Sequence, residues 1–165
     1  MKLAIILRGI PGSGKSVVAR FLAWNYGAII HSTDNYHIHN GVYTYDTERA
    51  AEYHGNNYTD FCDSCWERKP MVVVDNTNIW PQFYQPYTFA AQENGYKVLQ
   101  IKLANATRVS THNIPDEVLQ RMKAAFKRYW KMRDPDYTLI IPADASIDKM
   151  KRLVTLKLVK ILGEN

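Results

Sequence analysis

Short continuous apolar runs alternate along the chain with longer stretches in which apolar residues recur every three or four positions. The first run, residues 4–7, stops at Arg8 and a glycine-rich turn, the pattern of a strand buried on both faces in a parallel sheet. Residues 15–25 then read as a helix, with Val18, Phe21 and Leu22 on one stripe and Gly27 just past its end. A second short strand at 28–30 delivers Ser32, Thr33 and Asp34 to the same edge of the sheet as the turn. A helical stretch from 47 to about 69, weakened by Gly55, leads to the clearest buried strand, 71–75, which ends in a carboxylate.

After Asn76-Thr77-Asn78 the pattern predicts a helix to about residue 94, bent or delayed by Pro81 and Pro86 and closed by Gly95. A fourth strand follows at 96–103. Pro115 suits the first turn of the next helix, where Val118, Leu119, Met122, Phe126, Tyr129 and Trp130 form a stripe expected to be core. Residues 137–141, between Pro135 and Pro142, fit a last strand. The tail, about 146–162, sets Met150, Leu153, Val154, Leu158 and Ile161 on one face and lysines on the other. Its apolar face lacks aromatics, which favours a solvated helix packed on the domain over a membrane anchor. Strands alternating with helices predict a three-layer α/β domain with a mostly parallel central sheet.

One domain is expected: 165 residues, 46% of them hydrophobic, can bury one sizeable core and are too few for two ordinary domains. The apolar amino terminus is too short for a signal peptide or a spanning helix, so a cytoplasmic protein without membrane association is expected. A net charge of +5 suits a polyanionic partner such as nucleic acid, although a nucleotide alone would also welcome local positive charge. Cys62 and Cys65 form a lone C-x-x-C in a helical segment, lacking the second ligand pair of a zinc site and the strand-end setting of a redox motif. Two reduced thiols on one side of a helix are expected.

The chemistry begins at Gly9-Ile10-Pro11-Gly12-Ser13-Gly14-Lys15-Ser16, which matches G-x-x-x-x-G-K-[ST] and sits between a buried strand and a helix. Glycines let backbone N–H groups converge on phosphate oxygens, Lys15 reaches the terminal phosphates of ATP, and Ser16 ligates Mg²⁺. The expected fold is therefore a P-loop NTPase or kinase fold. Asp75, ending its strand, is placed for the metal or, as the competing reading, caps the turn that follows. Asp34 at the carboxyl edge is placed either to accept the proton of an attacking hydroxyl or to cap a helix. Arg108 and His112, then Arg121, Lys123, Lys127 and Arg128, are candidates for a lid over ATP centred on about 104–114, Arg108 the better one because it lies in a loop. The helix cations are otherwise a solvated face.

Together, Arg8 to Ser16, Ser32-Thr33-Asp34-Asn35-Tyr36 and Val74-Asp75-Asn76-Thr77-Asn78 resemble the kinase domain of bacteriophage polynucleotide kinase and related small P-loop DNA and RNA kinases, across most of residues 3–133. That resemblance implies that Asp34 is the general base, that Asp75 belongs to the metal or phosphate site, and that Arg108 belongs to the lid. Gly41-x-Tyr43-x-Tyr45-Asp46, leading into His54-x-x-Asn57, is similar to a pattern in relatives of the group and marks Tyr43, His54 and Asn57, with Asn78, as candidates for the acceptor pocket. A packed turn and a hydrogen-bonded helix histidine explain the same residues. Where the phage pattern has an arginine that binds the acceptor phosphate, this chain has His37, a weaker phosphate ligand at neutral pH. Tyr36, Tyr43 and Tyr45 are candidates to stack on a base.

The resemblance thus implies transfer of the ATP γ-phosphoryl group, with Mg²⁺, to a polynucleotide 5′-hydroxyl. The alternatives are the hydroxymethyl group of a modified base such as 5-hydroxymethyluracil, a small-molecule or nucleoside acceptor, and a regulatory P-loop ATPase.

Overall fold

A computed structural model describes residues 1–104, 114–130 and 136–163. Five parallel strands form the central sheet: β1 (Leu3–Arg8), β2 (Ile29–His31), β5 (Met71–Asp75), β6 (Lys97–Leu103) and β7 (Tyr137–Ile141), in the order β2-β5-β1-β6-β7. The three inner strands are buried almost throughout, which is why β1 up to Arg8 and β5 up to Asp75 read as continuous apolar runs; β6 also buries Gln100 and Lys102.

Helices α1 (Lys15–Tyr26) and α5 (Ile147–Leu162) cover one face, where Val18, Leu22, Met150, Val154, Leu158 and Ile161 pack on Leu3, Ile5 and Leu7. Helices α2 (Ala50–Trp66) and α3 (Pro81–Glu93) cover the other, through Phe61, Cys65, Tyr84, Tyr87 and Ala91 against Ala4, Ile6, Val72 and Val74. The expected three layers are present. Each fully buried Leu, Ile or Phe in them is worth about 1.5–3 kcal/mol relative to exposure, so these two clusters hold the sheet.

The tail helix packs on the domain as expected; Ser146 caps it by accepting from the Lys149 amide at 3.2 Å. Among the described residues no helix is long and apolar enough to cross a membrane. Cys65 is buried and Cys62 half-buried on α2, both free thiols, and burial pushes Cys65 up to about 12, far from a reactive thiolate.

Several boundaries differ from the sequence reading. The second strand runs one residue later, to His31. Pro81 occupies the first turn of α3, and Pro86 lies inside a helix that continues to Glu93 rather than interrupting it. Pro115 precedes α4 (Asp116–Tyr129) as its cap instead of lying in its first turn. The apolar stripe of α4 does pack inward: Phe126 is buried with Ile10 and Ile79, and Leu119, Met122 and Trp130 lie against them. Between β2 and α2 the chain makes a 3-10 turn, Thr33–His37, and a two-stranded hairpin of β3 (Ile38–His39) and β4 (Val42–Tyr43), neither of which the sequence reading predicted.

Candidate active site

Register decides which side chains meet. Leu7 of β1 pairs with Asp75 of β5, so the loop after Arg8 and the carboxylate that ends β5 emerge side by side. The loop turns through left-handed backbone at Gly12 (φ 78°) and Gly14 (φ 97°), conformations an L side chain resists. At Gly9 a Cβ would lie 3.1 Å from the Leu103 carbonyl oxygen, backbone that cannot step aside. The amides of Val17 and Val18 close on the Gly14 carbonyl, starting α1 with its amino-terminal turn at the loop.

Lys15 is buried and its Nζ donates to the Ile10 carbonyl at 3.0 Å, folding the side chain back over the loop. Burial lowers its pKa from 10.5 to about 8, although Asp75 and Asp34 both push it upward. The three groups therefore share one electrostatic neighbourhood. Asp75 is shifted upward, chiefly by burial, against the opposing pull of Lys15 and a hydrogen bond from Ser16. Its Oδ1 is buried and finds no hydrogen-bond partner among the described residues.

That orphaned oxygen, next to a serine hydroxyl and a phosphate-sized loop, fits Mg²⁺, which takes one or two protein oxygens and completes its shell with water and phosphate. No group of three or more His, Cys, Asp and Glu side chains forms a dedicated metal cage among the described residues. Ser16 and Asp75 would hold the ion, and it would supply charge neutralisation at the terminal phosphates.

Asp34 occupies the first turn of the 3-10 segment and is exposed. Two bonds to β5 fix that segment: Ser32 Oγ donates to the Asp75 carbonyl at 3.0 Å, and the Thr33 amide donates to Asn76 Oδ1 at 3.0 Å. The Tyr43 hydroxyl donates to Asp34 Oδ1 at 3.4 Å, and burial with the nearby carboxylate pushes Tyr43 up to about 12. His54 pairs through Nδ1 with Thr33 Oγ1 at 3.2 Å and stacks on Phe83; burial lowers its pKa, so the ring is neutral at pH 7.

Among the described residues, the remaining expected site residues are engaged in packing and in bonds within the fold. His37 is 1% exposed, with Tyr43, Tyr45 and Tyr53 around its ring, and its Nδ1 accepts from the Asp46 amide at 3.1 Å. It is a packed element of the turn, not a group offered to an acceptor phosphate. Asn57 is buried and donates to the Tyr87 hydroxyl at 3.0 Å. Asn78, left-handed at φ 49°, donates to the Leu7 carbonyl at 2.8 Å and so ties β1 to the turn after β5. Arg108, His112 and the expected lid lie outside the described residues, apart from Ala104 and Ile114 at its ends.

Arg8, the first residue of the motif that carries the resemblance, turns out to be structural. Fully buried at the end of β1, it donates to the Asn78 and Ile79 carbonyls at 2.9 and 3.3 Å and to Gln100 Oε1 at 3.0 Å, with its guanidinium 4.0 Å over the Tyr84 ring. Arg8 and Lys102 also reach the carboxyl end of α4, at the Tyr129 carbonyl (3.5 Å) and the Trp130 carbonyl (3.0 Å), which cations favour. Nothing in the local pattern marks such an arginine, because the type is ordinarily exposed.

Residues 5–129 match the family model AAA_33, described as an AAA domain. The chain belongs to that family. The AAA_33 domain here is 32% identical over 134 residues to human NEDD4-binding protein 2, a match covering 76% of this chain and 8% of that protein. The chain thus spans less than a tenth of that relative's length. Among solved structures it resembles the APS kinase CysC of Mycobacterium tuberculosis in complex with AMPPNP and APS (16% identity, TM-score 0.58, 95% of this chain and 97% of that one). It also resembles a chain of the Pnkp1/Rnl/Hen1 complex (19% identity, TM-score 0.52, 73% and 38%). The AAA_33 domain therefore has the fold of P-loop kinases, whose members include ATP-using enzymes with different acceptors.

Proposed function

We propose that this domain transfers the γ-phosphoryl group of ATP to a hydroxyl on nucleic acid, a polynucleotide 5′-hydroxyl first. The observation that carries the reading is the pair of bonds from Ser32 and Thr33 to the end of β5, which sets Asp34 in the same electrostatic neighbourhood as Lys15 and Asp75. A nucleotide-binding loop alone needs no such carboxylate; a phosphotransferase needs a proton acceptor there.

In the proposed step the acceptor O–H gives its proton to Asp34 as its oxygen bonds to the γ-phosphorus. The bond from that phosphorus to the β,γ-bridging oxygen breaks, and ADP leaves. Lys15 stabilises charge on the moving phosphoryl oxygens, the amides of residues 12–16 hold the β-phosphate, and Arg108, assigned by resemblance, adds charge from the lid. Ser16 and Asp75 would hold Mg²⁺, which would neutralise charge on the phosphates.

Two features bear on the acceptor. The phage-type arginine is replaced by a buried His37, which removes one grip on a terminal phosphate and keeps the hydroxymethyl group of a modified base as the second reading. The fold is shared with an APS kinase as well as with a chain of the Pnkp1/Rnl/Hen1 complex, so by itself it favours neither acceptor class. The deciding experiment is transfer of labelled phosphate to 5′-hydroxyl DNA, 5′-hydroxyl RNA, duplex DNA containing hydroxymethyluracil, and free nucleosides. Labelling of a nucleic acid is expected; ATP hydrolysis with no labelled acceptor overturns the reading.

A further inference from the structure

A cavity of about 250 Å³ opens beside the Asp34 turn, lined by Ile30, His31 and Ser32 from the end of β2, Asn35 and Tyr36 from the turn, and Asn57 and Asp60 from α2. Ser32 and Asn35 flank Thr33-Asp34 in the chain, so the cavity borders the turn that carries the proposed base. Its volume is below the roughly 300–1,000 Å³ of pockets for drug-sized ligands, which admits one ring system and not a whole nucleotide.

Among the lining residues Asp60 carries the one carboxylate. The Tyr36 hydroxyl donates to Asp60 Oδ2, which holds the carboxylate in place and leaves it further acceptor positions, since an ionised carboxylate offers about four. Asn57 donates one amide hydrogen to Tyr87, which leaves its carbonyl oxygen as an acceptor and its second amide hydrogen as a donor. His31 is 6% exposed, its Nε2 is buried with no hydrogen-bond partner among the described residues, and burial lowers its pKa, which favours the neutral ring. A carboxylate beside a neutral imidazole repels phosphate and attracts N–H donors. A buried ring nitrogen left unpaired in a ligand-sized cavity awaits a polar partner.

We propose that this cavity receives the heterocyclic base of the acceptor nucleotide and that Asp60 reads it through N–H donors, with guanine preferred. The Watson–Crick edge of guanine carries two adjacent donors, N1–H and the N2 amino group, which suit the two oxygens of one carboxylate. Adenine and cytosine set their single amino donor beside a ring nitrogen acceptor that a carboxylate opposes. Uracil and thymine offer one N–H between two carbonyls. Enzymes that act on a base outside the stack read the same edge by hydrogen bonds. The inference rests on the nucleic-acid kinase reading for the identity of its ligand, while the cavity and its donor preference stand on their own.

The test is equilibrium binding of 2′-deoxyguanosine, 2′-deoxyinosine, 2′-deoxyadenosine, 2′-deoxycytidine and thymidine, with a non-hydrolysable ATP analogue saturating the donor site. Deoxyguanosine should bind tightest and deoxyinosine, which lacks the amino group, more weakly. Asp60→Asn should weaken deoxyguanosine about tenfold or more, the scale of hydrogen bonds to a charged group, while leaving analogue affinity unchanged. The substitution keeps the shape and an acceptor for Tyr36, and unchanged analogue affinity reports an intact fold. Equal binding of all five, no binding up to millimolar concentration, or an Asp60→Asn protein that still binds deoxyguanosine normally overturns the inference. Phosphate transfer read separately distinguishes the two failures: base-selective binding without transfer removes the kinase reading alone, and transfer indifferent to the base removes the pocket alone.

Discussion

The amide of Thr33 donates to Asn76 Oδ1 at 3.0 Å and so joins the segment that carries Asp34 to the turn that follows β5. Two stretches 43 residues apart in sequence become one structural unit through this bond and the parallel one from Ser32 Oγ to the Asp75 carbonyl. The S-T-D and D-N-T-N stretches need each other because each supplies the other's missing partner. Neither bond touches the phosphate loop.

Asn76→Ala therefore separates the two halves of the site. It leaves the Thr33 amide, half-buried, without its acceptor, a loss of about 1–3 kcal/mol concentrated on the Asp34 turn. Single-turnover phosphate transfer should fall about tenfold or more while the affinity for an ATP analogue stays within twofold. Equal loss in both measurements would mean that Asn76 supports the whole fold and not the placement of Asp34.

Asp34→Asn tests the proposed base itself. General-base catalysis contributes about 10²–10⁴-fold, so transfer should fall on that scale with analogue binding intact. Because Asn also caps helices well, a capping role would leave turnover almost unchanged. The same variant retaining full transfer would sink the assignment.

The architecture was legible because the inner strands are buried on both faces and so announce themselves as apolar runs, and because the tail helix has one apolar stripe. The phosphate loop was legible for a different reason: its backbone demands glycine where φ is positive, at Gly12 and Gly14. The hairpin was missed although Asn40-Gly41, both with positive φ, is a strong short-range turn signal, because its strands are two residues long and largely exposed, with no alternation to read. His37 entered as a weaker phosphate ligand only through the resemblance, where it stands in place of an arginine; in the structure its ring packs among tyrosines that include Tyr43 of the hairpin. Arg8 and the Asp60 cavity were invisible locally because their partners come from strands and helices far along the chain.

Asn78 was a candidate for the acceptor pocket, and its geometry predicts a stability effect instead. Replacing it with alanine removes the bond to the Leu7 carbonyl and forces a left-handed alanine, together about 2–4 kcal/mol. At roughly 2–4 °C per kcal/mol for a chain of this size, Tm should drop by about 5–15 °C in a thermal melt. Asn78→Gly, which adopts the same φ freely, should lose less. A melt unchanged in both variants would return Asn78 to the list of ligand contacts.

Lys15 gives the pH dependence. In the nucleotide-free protein burial brings it from 10.5 down to about 8, so between those values the unfolded chain holds a proton that the folded chain has released. Stability from this group therefore rises with pH across that window and is lowest below about 8, where the buried ammonium is fully charged. Phosphate reverses the balance, because an anion beside Nζ favours the ammonium form. Binding an ATP analogue above pH 8 should take up a proton, and affinity should be flat below pH 8 and fall with rising pH above it. Calorimetry in buffers of different ionisation enthalpy at pH 8.5 reads that uptake directly. Lys15→Arg, which stays charged throughout, should abolish the uptake even where it weakens binding. Analogue affinity that is level from pH 7 to 9.5, with no proton taken up by the wild-type protein, would show that Lys15 keeps its charge without phosphate and that its burial costs far less than its surroundings suggest.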